Sequence, residues 1–81
     1  MTDNLGWLEI KNNGNLYCFN KNKISCVKII YKKKNIIIVC DGEEFEIICS
    51  PSLTNSFIDE LKDKIVGHIG SKDNYIDKII I

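Results

Sequence analysis

Two short runs of alternating apolar and polar residues lie on either side of Asn13-Gly14, near the start of the chain. Asn-Gly favours a two-residue hairpin loop, because both central positions of a type I′ turn have positive φ. We therefore predict two antiparallel strands that pair across this turn. The side chains expected on the inner face of the hairpin are Leu8, Ile10, Tyr17 and Phe19.

A second hairpin is predicted in "KKKNIIIVCDGEEFEIIC", residues 32–49, where Asp41-Gly42 supplies the turn. The strand before this turn contains four consecutive aliphatic residues, so both of its faces are apolar. A further strand, about Ile24 to Tyr31, is predicted before it. The face expected to line the core carries Ile36, Ile38, Cys40, Phe45, Ile47 and Cys49.

One helix is predicted over residues 50–67. Ser50 or Ser52 can cap its start, Pro51 suits the first turn, and Gly67 is a natural end. The apolar stripe of this helix comprises Leu53, Phe57, Ile58, Leu61 and Ile65.

These elements predict an α+β fold in a single domain of residues 1–81. A small antiparallel sheet of about five strands occupies residues 1–49, and the helix packs on one face of that sheet. The tail, residues 68–81, is either an additional C-terminal strand or an arm that reaches a partner.

A single helical stripe can cover only one face of a sheet, so the apolar second face needs another cover. Either the tail folds over it or another protein chain binds there, because a large exposed apolar patch rimmed by charges is typical of an interaction surface. For Trp7 we consider both alternatives, a binding anchor and a residue covered by the tail. The predicted interaction surface consists of Trp7, Leu16, Ile37, Val39, Glu44, Glu46 and Ile48.

The formal net charge is zero, but the charges are strongly segregated along the chain. Every residue between Lys11 and Cys40 that carries a charge is a lysine, and acids dominate from Asp41 to Asp63. This basic half could bind a nucleotide, another small anion or a nucleic acid through phosphate contacts and stacking. The possible anion-binding residues are Lys28, Tyr31, Lys32, Lys33 and Lys34.

The four cysteines, at positions 18, 26, 40 and 49, lack the short spacing that structural zinc sites favour. Each lies on a predicted strand, where cysteine acts as a small apolar residue, and this reading is preferred to metal binding or redox chemistry. We interpret His68 as a solvated residue beyond the helix end. No set of nucleophile, base and orienting residue can be assembled, so we expect neither an enzyme nor a cofactor.

The N-terminal residues do not have the pattern of a signal peptide, and no apolar stretch is long enough to span a membrane. We therefore expect a cytoplasmic protein without membrane contacts. The complete use of lysine as the basic residue, with abundant isoleucine and asparagine, is typical of AT-rich coding in a low-GC bacterium or its phage.

The segments "LEIKNNGNLYCFNKNKISCVK" and "NIIIVCDGEEFEI", with a helix that opens in "SPSL", resemble the short flagellar and swarming proteins of the FlbD type. The resemblance covers roughly residues 7–66 and rests on turns and apolar spacing. It implies a non-enzymatic accessory protein and supplies no catalytic residues.

Three classes of function follow from these patterns. The first is a protein-interaction module that regulates or inhibits a partner, plausibly encoded by a phage or mobile element, and self-associates through the outer sheet face or the tail strand. The second is a module that sequesters an anionic ligand or binds nucleic acid. The third, implied by the resemblance, is a flagellar or swarming accessory protein.

Overall fold

The computed structural model describes residues 6–71 and 76–81. Both predicted hairpins are confirmed, with φ of 55° at Asn13 and Asp41 and of 83° at the glycine that follows each. Positive φ at both central positions is the signature of the predicted turns. The hairpin strands are β1 (Trp7–Asn12), β2 (Asn15–Asn20), β4 (Asn35–Cys40) and β5 (Glu43–Ile48).

The register of both hairpins is also confirmed. Leu8 lies opposite Phe19 in the first hairpin, and Ile38 lies opposite Phe45 in the second. A two-residue loop fixes the register, and a slip by one residue would turn every apolar side chain to the other face. The turn dipeptides therefore determine which side chains can enter the core.

The described strands form two three-stranded sheets. The N-terminal sheet has the order β2-β1-β6, in which β6 (Ile76–Ile80) runs parallel to β1. The central sheet has the order β3-β4-β5, and β3 spans Ile24–Ile30.

The α+β class is confirmed, as is a C-terminal strand. The prediction of one antiparallel sheet of about five strands is wrong, because a 3-10 turn, Lys21–Lys23, follows β2 and the next strand does not pair with it.

The inner faces of the two sheets supply most of the core. Phe19 of β2 meets Phe45 of β5 edge to face, with ring centroids 5.3 Å apart. Aromatic pairs favour this geometry because the positive ring edge meets the negative face. The buried cluster contains Leu8, Ile10, Phe19, Ile36, Ile38, Cys40, Ile47, Cys49, Ile58, Leu61, Ile65 and Ile79.

The helix, α1, spans Asn55–Gly70 and packs on β3 and on the 3-10 turn after β2. Its N-cap is Thr54, whose hydroxyl accepts a hydrogen bond from the Phe57 N–H at 3.1 Å. The predicted start at residue 50 is wrong, since Ser50 accepts from the Leu53 N–H in a separate turn. The predicted end at Gly67 is also wrong, because packing of Ile69 against the core carries the helix one further turn.

The helix stripe is narrower than predicted. Ile58, Leu61 and Ile65 are buried, whereas Leu53 is half-buried before the helix and Phe57 is exposed on its first turn. These three buried residues follow the i, i+3, i+7 spacing of a single helix face. The helix therefore seals the core through one stripe and leaves Phe57 outside it.

A buried ion pair ties the C-terminal strand to the middle of the chain. Lys21 and Asp77 are 2% and 5% exposed, and the Lys21 Nζ lies 2.5 Å from an Asp77 carboxylate oxygen. The same ammonium donates to the Ser71 carbonyl oxygen at 3.1 Å, and the His68 Nδ1 lies 3.2 Å from the Asp77 carboxylate. The contact joins Lys21 to residues 50 and 56 positions later, at the end of the helix and in the C-terminal strand.

We predict that Asp77→Asn strongly destabilises the protein, since it leaves the Lys21 ammonium buried without its counter-charge. The expected loss is about 3–5 kcal/mol in the free energy of unfolding, measured by urea denaturation. The matched control is Glu44→Gln, which removes the exposed ion pair between Lys28 and Glu44, 3.0 Å apart, and should barely move the unfolding midpoint. Equal effects of the two substitutions would contradict this account.

Candidate interaction surface

The structure does not bring the seven predicted interaction residues into one surface. Trp7, Leu16 and Ile48 are exposed and Val39 is half-buried, but Ile37 is only 6% exposed. The expectation of an exposed Ile37 is therefore wrong. The outer face of the central sheet is much less open than its run of aliphatic residues indicates.

Long polar side chains of the neighbouring strands cover Ile37. Lys28 and Glu46 lie opposite it on β3 and β5, and Glu46 accepts a hydrogen bond from the side-chain amide of Asn35. Lys28 also pairs with Glu44, which lies opposite Val39, so this ion pair crosses β4 diagonally. The aliphatic stems of such residues shield apolar surface while their charged ends stay in water.

Trp7 and Leu16 lie on the outer face of the N-terminal sheet. Trp7 is adjacent to Ile76 of β6, and Leu16 lies opposite Lys11, which is flanked on its other side by Ile80. Trp7 therefore has a neighbour on the tail strand, as the covered alternative requires. Its side chain is still partly exposed, as a binding anchor requires. These residues are separated from Ile48, which lies at the end of β5.

A groove with apolar walls lies beside the connection between β5 and α1, and we call it the terminal groove. It has a volume of about 460 Å³. Three apolar side chains at its edge are exposed: Ile48 at 57%, Phe57 at 44% and Ile80 at 79%. The residues that line it are Asn12, Asn13, Ile48, Cys49, Ser50, Pro51, Leu53, Phe57, Leu61, Ile80 and Ile81.

Hydrogen bonds between distant segments hold the walls of the terminal groove. The side-chain amide of Asn12 donates to the Ile48 carbonyl oxygen at 3.0 Å, which joins β1 to β5. The Lys34 Nζ donates to the Leu53 carbonyl oxygen at 2.8 Å, which fixes the connection that precedes the helix. The Ile81 N–H donates to the Lys11 carbonyl oxygen at 2.8 Å. The groove is thus a preformed concave site with apolar walls.

Of the residues at the groove edge, only Ile48 belongs to the predicted interaction surface. Phe57 was assigned to the buried helix stripe, and Ile80 lies in a tail whose partner strand the sequence does not reveal. The late start of the helix at Asn55 is what leaves Phe57 at the mouth of the groove. Pro51 was a weak sequence signal of this late start, since a proline shortly after a strand favours a turn over a helix.

The predicted anion-binding residues are largely engaged with other side chains. Lys28 pairs with Glu44, Lys34 donates to Leu53 and Asn55, and the Tyr31 hydroxyl donates to the Asp59 carboxylate. The hydrogen bond to Glu44 raises the pKa of Lys28, and the bond to Asp59 raises the pKa of Tyr31.

Lys32 and Lys33 are exposed in the 3-10 turn Tyr31–Lys33. Lys32 follows Tyr31, whose hydroxyl donates to the Asp59 carboxylate, and a carboxylate repels an anion. Lys32 and Lys33 therefore supply two exposed surface charges on one turn, without other described donors shown to converge on them. The geometry therefore does not favour the anion-binding alternative.

We predicted that His68 is a solvated residue beyond the end of the helix, and this prediction is wrong. His68 lies within α1, is half-buried and contacts the buried Asp77. Lys21 and Asp77 were not identified as special, since a lysine in "NKNK" and an aspartate in the tail look like ordinary surface charges. Within residues 6–71 and 76–81, no three His, Cys, Asp or Glu side chains are placed to hold a metal ion.

The cysteines divide into two pairs. Cys40 and Cys49 are buried in the core, as expected for small apolar residues, and burial raises the pKa of both thiols. Cys18 and Cys26 are exposed on the outer faces of β2 and β3, which corrects the expectation that all four act as apolar core residues.

We predict that a thiol reagent at mildly alkaline pH modifies Cys18 and Cys26 rapidly and leaves the core pair unmodified. A raised pKa means that less reactive thiolate is present at any pH below it, and burial also blocks access. Mass spectrometry of the native protein should show two added groups, and the urea-unfolded protein should show four. Rapid modification of Cys49 in the native protein would contradict its placement in the core.

In comparisons with family models, curated proteins and solved structures, no match to this chain was found. The resemblance to the FlbD type therefore stays a prediction. Across the part of the chain that the structure describes, α1 is too short and too polar to cross a lipid bilayer.

Proposed function

We propose that the chain is a non-enzymatic protein-interaction module that binds an apolar segment of a partner protein in the terminal groove and thereby regulates or inhibits that partner. The observation that supports this proposal is the exposure of Ile48, Phe57 and Ile80 around one preformed concavity. Apolar side chains grouped around a groove are typical of binding sites, whereas exposed apolar residues scattered singly are ordinary.

The chemistry of the groove fits a peptide segment. Its walls are aliphatic and aromatic, and polar groups of Asn12, Asn13, Ser50 and the Leu53 backbone lie between them. Apolar walls supply most of the binding free energy, and a few fixed polar groups orient the ligand backbone. Aromatic side chains such as Phe57 are enriched among residues that dominate binding energy at interfaces. The expected ligand is therefore a short segment with two or three large apolar side chains.

The test compares two lysine substitutions on the same helix. Phe57 at the groove and Val66 on another part of α1 are 44% and 46% exposed, so neither substitution disturbs a buried side chain. The probe is a displayed library of random peptides, selected on the unmodified protein. We expect enrichment of peptides with paired large apolar residues, with binding lost in Phe57→Lys and retained in Val66→Lys.

Circular dichroism and thermal unfolding of both variants serve as the control for folding. The proposal predicts a loss of at least tenfold in peptide affinity for Phe57→Lys, since burying an ammonium group against apolar walls is costly. Failure to enrich any peptide, or equal binding by the two variants, would overturn the assignment of the groove.

A further inference from the structure

The four exposed strand edges differ in their protection against pairing with another chain. The edge strand β5 carries three glutamates, and β6 carries Asp77 and Lys78. The edge strand β3 carries Lys28, has an irregular register between Ile24 and Cys26, and packs against α1. Charges, irregularities and covering elements are the usual devices that prevent edge pairing.

The edge strand β2 has none of these devices. Its sequence, NLYCFN, contains no charged residue and no proline, and its register with β1 is regular over six consecutive pairs. Leu16 and Cys18 are both exposed on it. Among the described strands, β2 is thus the edge that is best suited to accept another strand.

The hydrogen-bond phase shows which backbone groups are available on β2. The Lys21 N–H donates to the Gly6 carbonyl oxygen at 3.1 Å. Gly6 and Lys21, which lie opposite each other just before β1 and just after β2, are therefore a hydrogen-bonded pair. Because such pairs alternate in an antiparallel ladder, residues 15, 17 and 19 bond to β1, and residues 16, 18 and 20 direct their groups outward. Asn20 caps the 3-10 turn that follows β2, which leaves Leu16 and Cys18 for a further strand.

We propose that β2 pairs antiparallel with β2 of a second copy of this chain, so that two N-terminal sheets join into one six-stranded sheet. A two-fold axis at Tyr17 sets Leu16 of each copy opposite Cys18 of the other. This register uses both outward-facing residues of each copy and gives four interchain N–H to C=O hydrogen bonds.

The side chains at this junction are self-complementary. On the outer face, the exposed Leu16 of each copy meets the small Cys18 side chain of the other, and no charged side chain of β2 has to be desolvated. The formal net charge of zero means that two copies do not repel each other. The contact is small compared with a standard protein interface, so the dimer is weak and depends on concentration. The inference goes beyond the proposed function, as β2 contributes no residue to the terminal groove.

Sedimentation velocity over a range of protein concentrations tests this dimer. We expect the wild-type protein to shift from monomer to dimer, reaching mostly dimer by about 1 mM. Cys18→Lys places a lysine at the junction and should remain monomeric throughout. The matched control, Cys26→Lys, changes the other exposed cysteine, on the edge strand β3, and should still dimerise.

Amide hydrogen exchange followed by NMR tests the register. The Leu16 and Cys18 amides should exchange at least tenfold more slowly in concentrated than in dilute protein, because only the dimer supplies their acceptors. The Glu44 amide on the uncovered β5 edge should not change. A wild-type protein that stays monomeric at about 1 mM, a Cys18→Lys dimer, or protection confined to other edges would each overturn the inference.

The two proposals can fail separately. Phe57→Lys should keep the concentration-dependent dimer while losing peptide binding, and Cys18→Lys should keep peptide binding as a monomer. Loss of both properties in either variant would show that the two surfaces are not independent and would overturn the β2 assignment.

Discussion

The buried ion pair between Lys21 and Asp77 is the contact on which the arrangement of this chain depends. It joins the 3-10 turn between the two sheets to the last strand, and the same ammonium binds the Ser71 carbonyl at the end of the helix. Burying two charges costs more than their attraction returns unless every partner is in place. The pair therefore contributes specificity, because only a fold that brings these three segments together satisfies it.

The placement of β6 explains where the open surfaces are. Since β6 runs parallel to β1, the connection between them contains β2, the whole central sheet and the helix. Parallel neighbours require such a crossover, which here also supplies the second layer of the core. The crossover leaves Ile80 on the outside at the same end of the molecule as Ile48 and Phe57. The terminal groove is thus a product of the long connection, because its walls come from three separate stretches of the chain: residues 12–13, 48–61 and 80–81.

The second apolar face of the central strand β4 is covered within this chain. The four consecutive aliphatic residues of β4 give this strand two apolar faces. From the sequence alone, the second face has no evident cover, which is why the sequence predicts a partner there. In this fold the cover is local: Lys28, Glu44 and Glu46 on the flanking strands lie over Ile37 and Val39. Edge strands of a three-stranded sheet are close enough for long side chains to reach across the centre. The open apolar surface is therefore at the terminal groove and not on the outer face of the central sheet.

The sequence by itself determined the hairpins, their register and the inner residues, because Asn-Gly and Asp-Gly turns and strand alternation are local properties. It also determined that a helix follows the strands, but the helix begins after Thr54 because residues 50–53 form a separate turn. The division into two sheets, the burial of Lys21 and Asp77, and the gathering of Ile48, Phe57 and Ile80 were decided only by tertiary structure. These features depend on contacts between residues far apart in sequence, such as Lys11 and Ile81, and no local pattern in the chain encodes such contacts.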